Sequence, residues 1–320
     1  MDISYLLWLQ SIREGASPII KALFTFLGSK GASVALVVIP CLVYWCLNKR
    51  VGMFAICAYG TSFFCNQLIK NTVCQYHPWV RDSRIVPDAV AKKGATGYSF
   101  PSTHTQSSTS LLLGLGWKAR ERSWPLVLGL ALVLLIGFSR NFLGVHTPQD
   151  VIVAFAEGCL FIWLTDRLMA WVDEDDSRVA RVALAGALLA VPYLAFITLK
   201  PYPMDYVDGT LLVDPAEMMI DCSKAAGTFV GICLGWYVEH RFVRFATGGL
   251  STQQTLARMV IGVVCVLFFY LALGQLFKAV MGLLWGNFVR HLLAFFVAIA
   301  GVPVCFERLD RAVAERFHSR

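Results

Sequence analysis

Three separated stretches of this chain collect residues able to do chemistry: KNTVCQYHP (70–78), PSTH (101–104) and SRNFLGVHTPQD (139–150). Each alone is weak, because a lysine at a helix end can snorkel and a lone membrane histidine is as easily a hydrogen-bonding member of a bundle. Together they supply two fixed cations, Lys70 and Arg140, three histidines, His77, His104 and His146, several hydroxyls and the carboxylate of Asp150. Ionisable groups near a bilayer are costly to hold, so a convergent set of them points to function.

The third stretch is the most informative. Thr147-Pro148-Gln149-Asp150 reads as a helix start, with Thr147 as N-cap, Pro148 in the first helical position and Asp150 three residues after the cap. His146 then stands just before the helix, where Asp150 can reach back to its ring. A carboxylate on one imidazole nitrogen sets the tautomer and leaves the other nitrogen free for nucleophilic attack. Capping by Asp150 is compatible with that role.

These residues must be positioned by membrane helices. Of 320 residues, 57% are hydrophobic and 15% charged, with a mean hydropathy of +0.61, whereas soluble chains carry about 25% charged residues. The apolar residues arrive in runs of about 20, the length of a membrane span: 31–47, 51–69, 125–138, 151–166, 182–199 and 259–277. The expected fold is all-α, a polytopic transmembrane bundle with a six-helix core over 1–170 and about four further helices over 171–320. The N-terminus, MDISYLLWLQSIREG, lacks the basic n-region and small-residue site of a cleaved signal, and residues 4–28 read as an interfacial helix. Most of the ten cysteines lie inside apolar runs as small hydrophobes, and no spacing suggests a metal site or disulfide framework.

The net charge of +7 is scattered over short loops, which fits membrane topology and not nucleic-acid binding. Lys49 and Arg50, then Lys118, Arg120 and Arg122, then Arg167, Arg178 and Arg181, then Arg241 and Arg244, and finally Arg308, Arg311, Arg316 and Arg320 fall on one side if the spans alternate. The connections 70–103, 140–148, 200–219 and 279–289 then face the other side, carrying all three polar stretches. The roughly 30-residue segment 71–103 is too long for a plain connector and is expected to be functional. In the second block Ser223, Gly227, Gly231 and Gly235 recur every fourth residue, a stripe that lets two helices approach closely. It suits packing within the chain, with a homodimer contact as the alternative. Asp221 and Lys224 read as a local ion pair, Asp205, Asp208, Asp214 and Glu217 as a solvated acidic surface, and Pro192 and Pro303 as helix kinks.

The motifs resemble those of the type 2 phosphatidic acid phosphatase (PAP2) superfamily: a lysine–arginine-proline segment, a Pro-Ser-x-His segment and a Ser-Arg-x5-His-x3-Asp segment. The third is complete from Ser139 to Asp150. The second carries Thr103 where many members have glycine, a variant similar to the sphingosine-phosphate phosphatase branch. The first departs, with Lys70 and Pro78 in register and His77 in the arginine position. The resemblance covers roughly residues 30–170 and implies a metal-independent lipid phosphatase without cofactor. In that reading His146 attacks phosphorus, Asp150 orients it, and His104 protonates the leaving oxygen. Lys70, His77, Ser102, Thr103 and Arg140 hold the phosphate. Arginine is a fixed charged fork, whereas histidine near its ordinary pKa of about 6.5 is partly neutral. Arg81 or Arg84 is therefore expected to replace the fork, or activity to favour lower pH. The implied substrates are phosphatidate, long-chain base phosphates, phosphatidylglycerophosphate or polyprenyl diphosphates, reached from the bilayer at the outer face of a bacterial plasma membrane. Two rival readings are a lipid or solute transporter and a zinc hydrolase using His77, His104 and His146. A homologue that binds phospholipid heads but turns them over poorly is a third.

Overall fold

The computed structural model describes residues 2–207 and 209–306. Asp208 and the tail arginines Arg308, Arg311, Arg316 and Arg320 lie outside the described residues.

Two N-terminal helices, α1 (Asp2–Gly15) and α2 (Pro18–Leu27), stand where one interfacial helix was expected. The division falls at Pro18, which has no N–H to continue α1 but suits the first position of a new helix, and Ser17 caps it by accepting from the Ile20 N–H at 3.4 Å. Next come α3 (Lys30–Leu42), prolonged by a π turn over Val43–Leu47, and α4 (Lys49–Val73), which Asn48 caps by accepting from the Val51 N–H at 3.1 Å. The long polar connection contains two short helices, α5 (Pro78–Arg81) and α6 (Ala89–Gly94). Then α7 (Thr103–Ser108) runs on through a π turn, Thr109–Leu113, into α8 (Gly114–Lys118). Helices α9 (Ser123–Phe142) and α10 (Pro148–Asp173) complete the first block.

The second block holds α11 (Arg178–Leu199), α12 (Pro215–Val238), α13 (Thr252–Leu267) and α14 (Gly274–Phe296), with π turns over Glu239–Val243, Phe268–Leu273 and Val297–Gly301. Pro192 sits inside α11, which stays one helix. The only strands among the described residues, β1 (Tyr206–Val207) and β2 (Thr210–Leu211), pair antiparallel with Tyr206 opposite Leu211.

Within α14 the chain reverses. Gly282 has φ +76°, outside helical space and in the region that favours glycine. On either side of it residues pair in antiparallel order: the Arg290 side chain packs on Gly274 and donates from Nε to the Tyr270 carbonyl at 2.8 Å, and Gly286 abuts the Lys278 backbone. The reversal lies within the 279–289 connection expected from sequence.

The helices 123–142, 178–199 and 215–243, and the segment 252–306 that folds back at Gly282, are long and apolar enough to cross a membrane, and α2 with α3, bent by 54°, makes a fifth if counted as one span. Helices α4, α7–α8 and α10, which carry parts of the polar stretches, are not among these. The chain is a multi-pass membrane protein, and a count of six plus four helices depends on those polar-bearing helices also crossing.

The two ends of the bundle differ sharply. At one end the basic loops meet acidic partners from other loops: Lys49 with Glu239 at 2.5 Å, Arg50 with Asp173, Lys118 with Asp166 at 2.7 Å, and His240 with Asp176 at 3.0 Å. The groups assigned to one side by charge that lie among the described residues therefore gather there. The three polar stretches gather at the other end.

The glycine stripe packs within the chain. A Cβ on Gly227 would stand 2.2 Å from the Phe288 carbonyl oxygen and one on Gly231 2.3 Å from that of Leu292, both in α14. The face considered for contact between two copies is thus filled by α14. Because backbone cannot yield as a side-chain tip can, Gly227→Ala is expected to cost about 1–3 kcal/mol, read as a lowered unfolding temperature in detergent. An unchanged midpoint would refute this packing.

Candidate active site

The three stretches converge on one cavity of about 320 Å³ at the end of the bundle away from the basic loops. Lys70 enters from the last turn of α4, Thr103 and His104 from the start of α7, Arg140 from the last turn of α9, and His146 from the α9–α10 connection. His104 and His146 share this cavity, as one phosphate would require.

The orientation of His146 follows from its partners. Thr147 and Asp150 form the capping box read from sequence: the Thr147 N–H donates to Asp150 Oδ2 at 2.8 Å, and the Asp150 N–H to Thr147 Oγ1 at 3.3 Å. Ser99 donates its hydroxyl to Asp150 Oδ2 at 2.5 Å, so its oxygen is left to accept from His146 Nδ1, 3.2 Å away. Asp150 Oδ2 itself lies 3.4 Å from Nδ1. The proton is therefore on Nδ1, and the Nε2 lone pair is free toward the cavity. Burial holds the His146 imidazole below its ordinary pKa against the pull of Asp150, which keeps it neutral and nucleophilic near pH 7. Ser99 is the bridge that sequence reading missed; it is one serine among several around 97–108, and only the fold places it against both partners. Ser99→Ala is expected to lower kcat about tenfold, the 1–2 kcal/mol scale of a buried hydrogen bond, with KM little changed and recovery in Ser99→Thr. Unaltered kcat would remove Ser99 from the site.

The cations are held by carbonyls. Lys70 Nζ donates to the Tyr98 carbonyl at 2.7 Å and lies 3.4 Å from that of Ser99. Arg140, only 1% exposed, donates from Nη1 to the Gly28 carbonyl at 3.3 Å, and its buried Nε has no partner among the described residues. The His104 ring also reaches the Gly28 carbonyl, leaving its buried Nε2 unpartnered beside the cavity. Unpartnered buried donors and acceptors facing one space are costly unless a ligand satisfies them. Thr103 is fixed from behind: its Oγ1 donates to Asn66 Oδ1 at 3.1 Å, and Asn66 Nδ2 donates to Glu157 Oε2 at 2.8 Å. The first N–H groups of the helix beginning at Thr103 have no intrahelical acceptor and suit an anion.

Three expectations need correction. His77 lines the cavity but supplies no positive fork. Its Nδ1–H donates to the Val145 carbonyl at 2.8 Å, its ring stacks on Trp79 at 4.3 Å, and Nε2 presents a lone pair. Burial, with the His146 ring and the Lys70 ammonium nearby, drives its pKa well below 6.5, so it is neutral at physiological pH. Neither Arg81 nor Arg84 replaces the fork: Arg81 pairs with Asp2 at 3.2 Å, and Arg84, exposed, pairs with Asp82 at 2.7 Å, both outside the cavity. Ser102 is fully buried with Oγ 3.1 Å from Thr105 Oγ1 and does not line the cavity; its N–H donates to the Asp150 carbonyl at 3.0 Å, tying the second stretch to the third. Of the rival readings, the zinc hydrolase would need His77, His104 and His146 as one ligand set, and no group of His, Cys, Asp or Glu able to hold a metal ion occurs among the described residues. Since kcat/KM reports the free enzyme, a neutral His77 makes no titration step near pH 6.5. His77→Asn, which can keep the bond to Val145, is expected to leave the kcat/KM profile unmoved between pH 6 and 8. A wild-type kcat/KM that falls as pH rises through this range, with the fall abolished in His77→Asn, would show that His77 is a cation in the wild type.

The second block also contributes. Asp221 and Lys224 form the expected ion pair, at 2.7 Å, yet both line the cavity. Sequence assigned them no part because nothing local places α12 opposite α4.

Residues 51–174 match the model of the PAP2 superfamily, and residues 223–316 match that of the PAP2 superfamily phosphatase, transmembrane extension. Sphingosine-1-phosphate phosphatase 2 of Homo sapiens is 24% identical over 226 residues, which are 69% of this chain and 52% of that protein. Undecaprenyl-diphosphatase BcrC of Bacillus subtilis (strain 168) is 39% identical over 83 residues, 25% of this chain and 42% of that protein. Phosphatidylglycerophosphatase B of the same organism is 24% identical over 166 residues, 49% of this chain and 73% of that protein. The chain thus spans about half the length of the human relative. No solved structure matches it. On these two matches the chain belongs to the PAP2 superfamily, and carries the superfamily domain followed by its transmembrane extension.

Proposed function

We propose that this protein is a membrane phosphatase that hydrolyses a lipid phosphomonoester or diphosphate through a phosphohistidine. The observation that carries the reading is the convergence of His146, His104, Lys70 and Arg140 on one cavity, with the free nitrogen of His146 set by Ser99 and Asp150. His146 Nε2 forms a bond to phosphorus as the bond to the lipid oxygen breaks. His104, protonated opposite the bound phosphate, gives its Nε2 proton to that oxygen. The neutral Nε2 then takes a proton from the water that attacks the phosphohistidine, which restores both imidazoles. Lys70 and Arg140 neutralise the equatorial oxygens, the electrostatic work that dominates phosphoryl transfer. No step calls for a metal.

The relatives named as phosphatases of sphingosine-1-phosphate, undecaprenyl diphosphate and phosphatidylglycerophosphate support a phosphate ester of a lipid as substrate. The gathering of basic loops at the far end supports a cavity on the outer face, by the excess of Lys and Arg that cytoplasmic loops carry. The test is phosphate release from a panel of lipid phosphates in detergent, with and without chelator. Release that persists in chelator and is lost in His146→Ala is the expected result; release abolished by chelator in the wild type overturns the metal-free mechanism.

A further inference from the structure

The phosphate cavity opens onto a second, almost wholly apolar groove of about 230 Å³, and the two share Ser33, Val37 and Tyr59 in their walls. One wall of this groove is α3, which precedes the matched superfamily domain, and α4 of that domain. The other is the hairpin of α13 and α14, from the transmembrane extension, with Val266, His291, Ala294 and Ala298 facing in. The long axis follows the helices. From Ser33 to Cys41 on α3 is about 12 Å, and from His291 on α14 to Ala298 in the π turn that follows it about 10 Å, at about 1.5 Å per residue. Along α4, Tyr59 lies about 16 Å from Lys70 by the same measure. Past Cys41 and Ala298, the last residues lining it at that end, the two walls are tied together: Trp45 Nε1 donates to the Ala298 carbonyl at 2.8 Å and the Tyr44 hydroxyl to that of Ile299 at 2.9 Å. A second apolar cavity, between α11 and α12, shares no residue with the phosphate cavity.

We propose that the groove between α3–α4 and the α13–α14 hairpin binds a single extended hydrocarbon chain of the substrate, and that the Tyr44–Trp45 ties at its end set the chain length accepted. This rests on the phosphatase reading above and gives the extension a role in it: the extension is the tail-recognising half of the substrate site. The continuity of an apolar trough with a cationic, histidine-lined cavity matches a molecule with one anionic head and one apolar chain. Burying methylene groups against fixed apolar walls discriminates by length, since each buried group adds affinity until that end is reached.

Two substitutions fill the groove at different depths. Ala298→Phe blocks its foot, and Ala294→Phe blocks it one helical turn nearer the phosphate. Kinetics are measured on alkyl phosphates of increasing chain length and on a short water-soluble phosphate ester. Ala298→Phe is expected to raise KM for the longest chains about tenfold or more while sparing the short ester, and Ala294→Phe to move the cut-off to shorter chains. Equal effects on all lengths, or no effect in either variant, overturn the proposal. Because both alanines are buried and the variants could fail to fold, the wild type is also photolabelled with an alkyl phosphate bearing a diazirine at its chain terminus. Labels on α13 and α14 between 259 and 301 support the groove, and labels confined to α10 and α11 refute it. If the wild type hydrolyses no phosphate ester, the phosphatase reading fails while the labelling still decides the groove.

Discussion

His146→Ala removes phosphate release from every lipid phosphate, with kcat falling by about 10⁴ to 10⁶, the scale seen when a nucleophile that acts as part of a unit is deleted. His104→Ala behaves differently, and the contrast is the informative part. A lipid alkoxide is a poor leaving group and needs the proton that His104 supplies, so its loss costs about 10²–10⁴ on lipid substrates, the range of general acid catalysis. An aryl phosphate releases a phenoxide that leaves without protonation, so its first step survives in His104→Ala. The second step, activation of water, is still impaired, and phosphate therefore accumulates on His146. Mass spectrometry of the acid-sensitive adduct on the peptide containing His146 checks this. An adduct on His104, or equal loss on alkyl and aryl substrates, reverses or removes the assigned roles. The geometry behind the assignment is the asymmetry of the two rings: His146 has its Nδ1 held by Ser99 and Asp150, whereas His104 has no carboxylate partner among the described residues.

Gly28→Ala is the second variant with a large expected effect, although Gly28 touches no reacting atom. Its φ of −89° is open to any residue, so conformational freedom is not the reason for glycine. The reason is space: a Cβ would stand 2.3 Å from Arg140 Nη1 and 3.2 Å from Leu143 Cδ1. A guanidinium tip can swing away at little cost in stability, but it then leaves the cavity where its charge is used. We expect kcat/KM to fall about 100-fold, equivalent to about 2.7 kcal/mol of transition-state stabilisation, with the unfolding midpoint little changed. Arg140→Ala should be no better, and the double variant no worse than Arg140→Ala alone, because both act through one side chain. Additive losses would mean that Gly28 acts through another route, such as the His104 bond to its carbonyl.

Much of this protein was legible in its sequence because the signals are local. The capping box at Thr147 and Asp150 is a contact over three residues, so the helix start and the placing of His146 before it follow from the chain alone. Membrane helices announce themselves by apolar runs, since an unpaired backbone group in lipid costs too much for other structures. The glycine stripe of α12 spoke for close packing with some other helix, though not for α14 in particular. In each case the physics acts between neighbours in sequence or between a segment and its solvent.

What the tertiary structure decided are contacts between segments far apart in the chain. Gly28 meets Arg140, Ser99 meets Asp150, and Asp221 with Lys224 reaches the cavity only because α12 packs against α4. His77 shows the difference most plainly. Its position in the motif suggested a partial cation, yet the Val145 carbonyl takes its Nδ1 proton and burial keeps it neutral. Arg81 and Arg84, available by sequence, are turned outward to Asp2 and Asp82. A residue type states which protons and charges a side chain can carry; which of them it does carry, and toward what, depends on the acceptors, charges and solvent that only the packed fold brings to it.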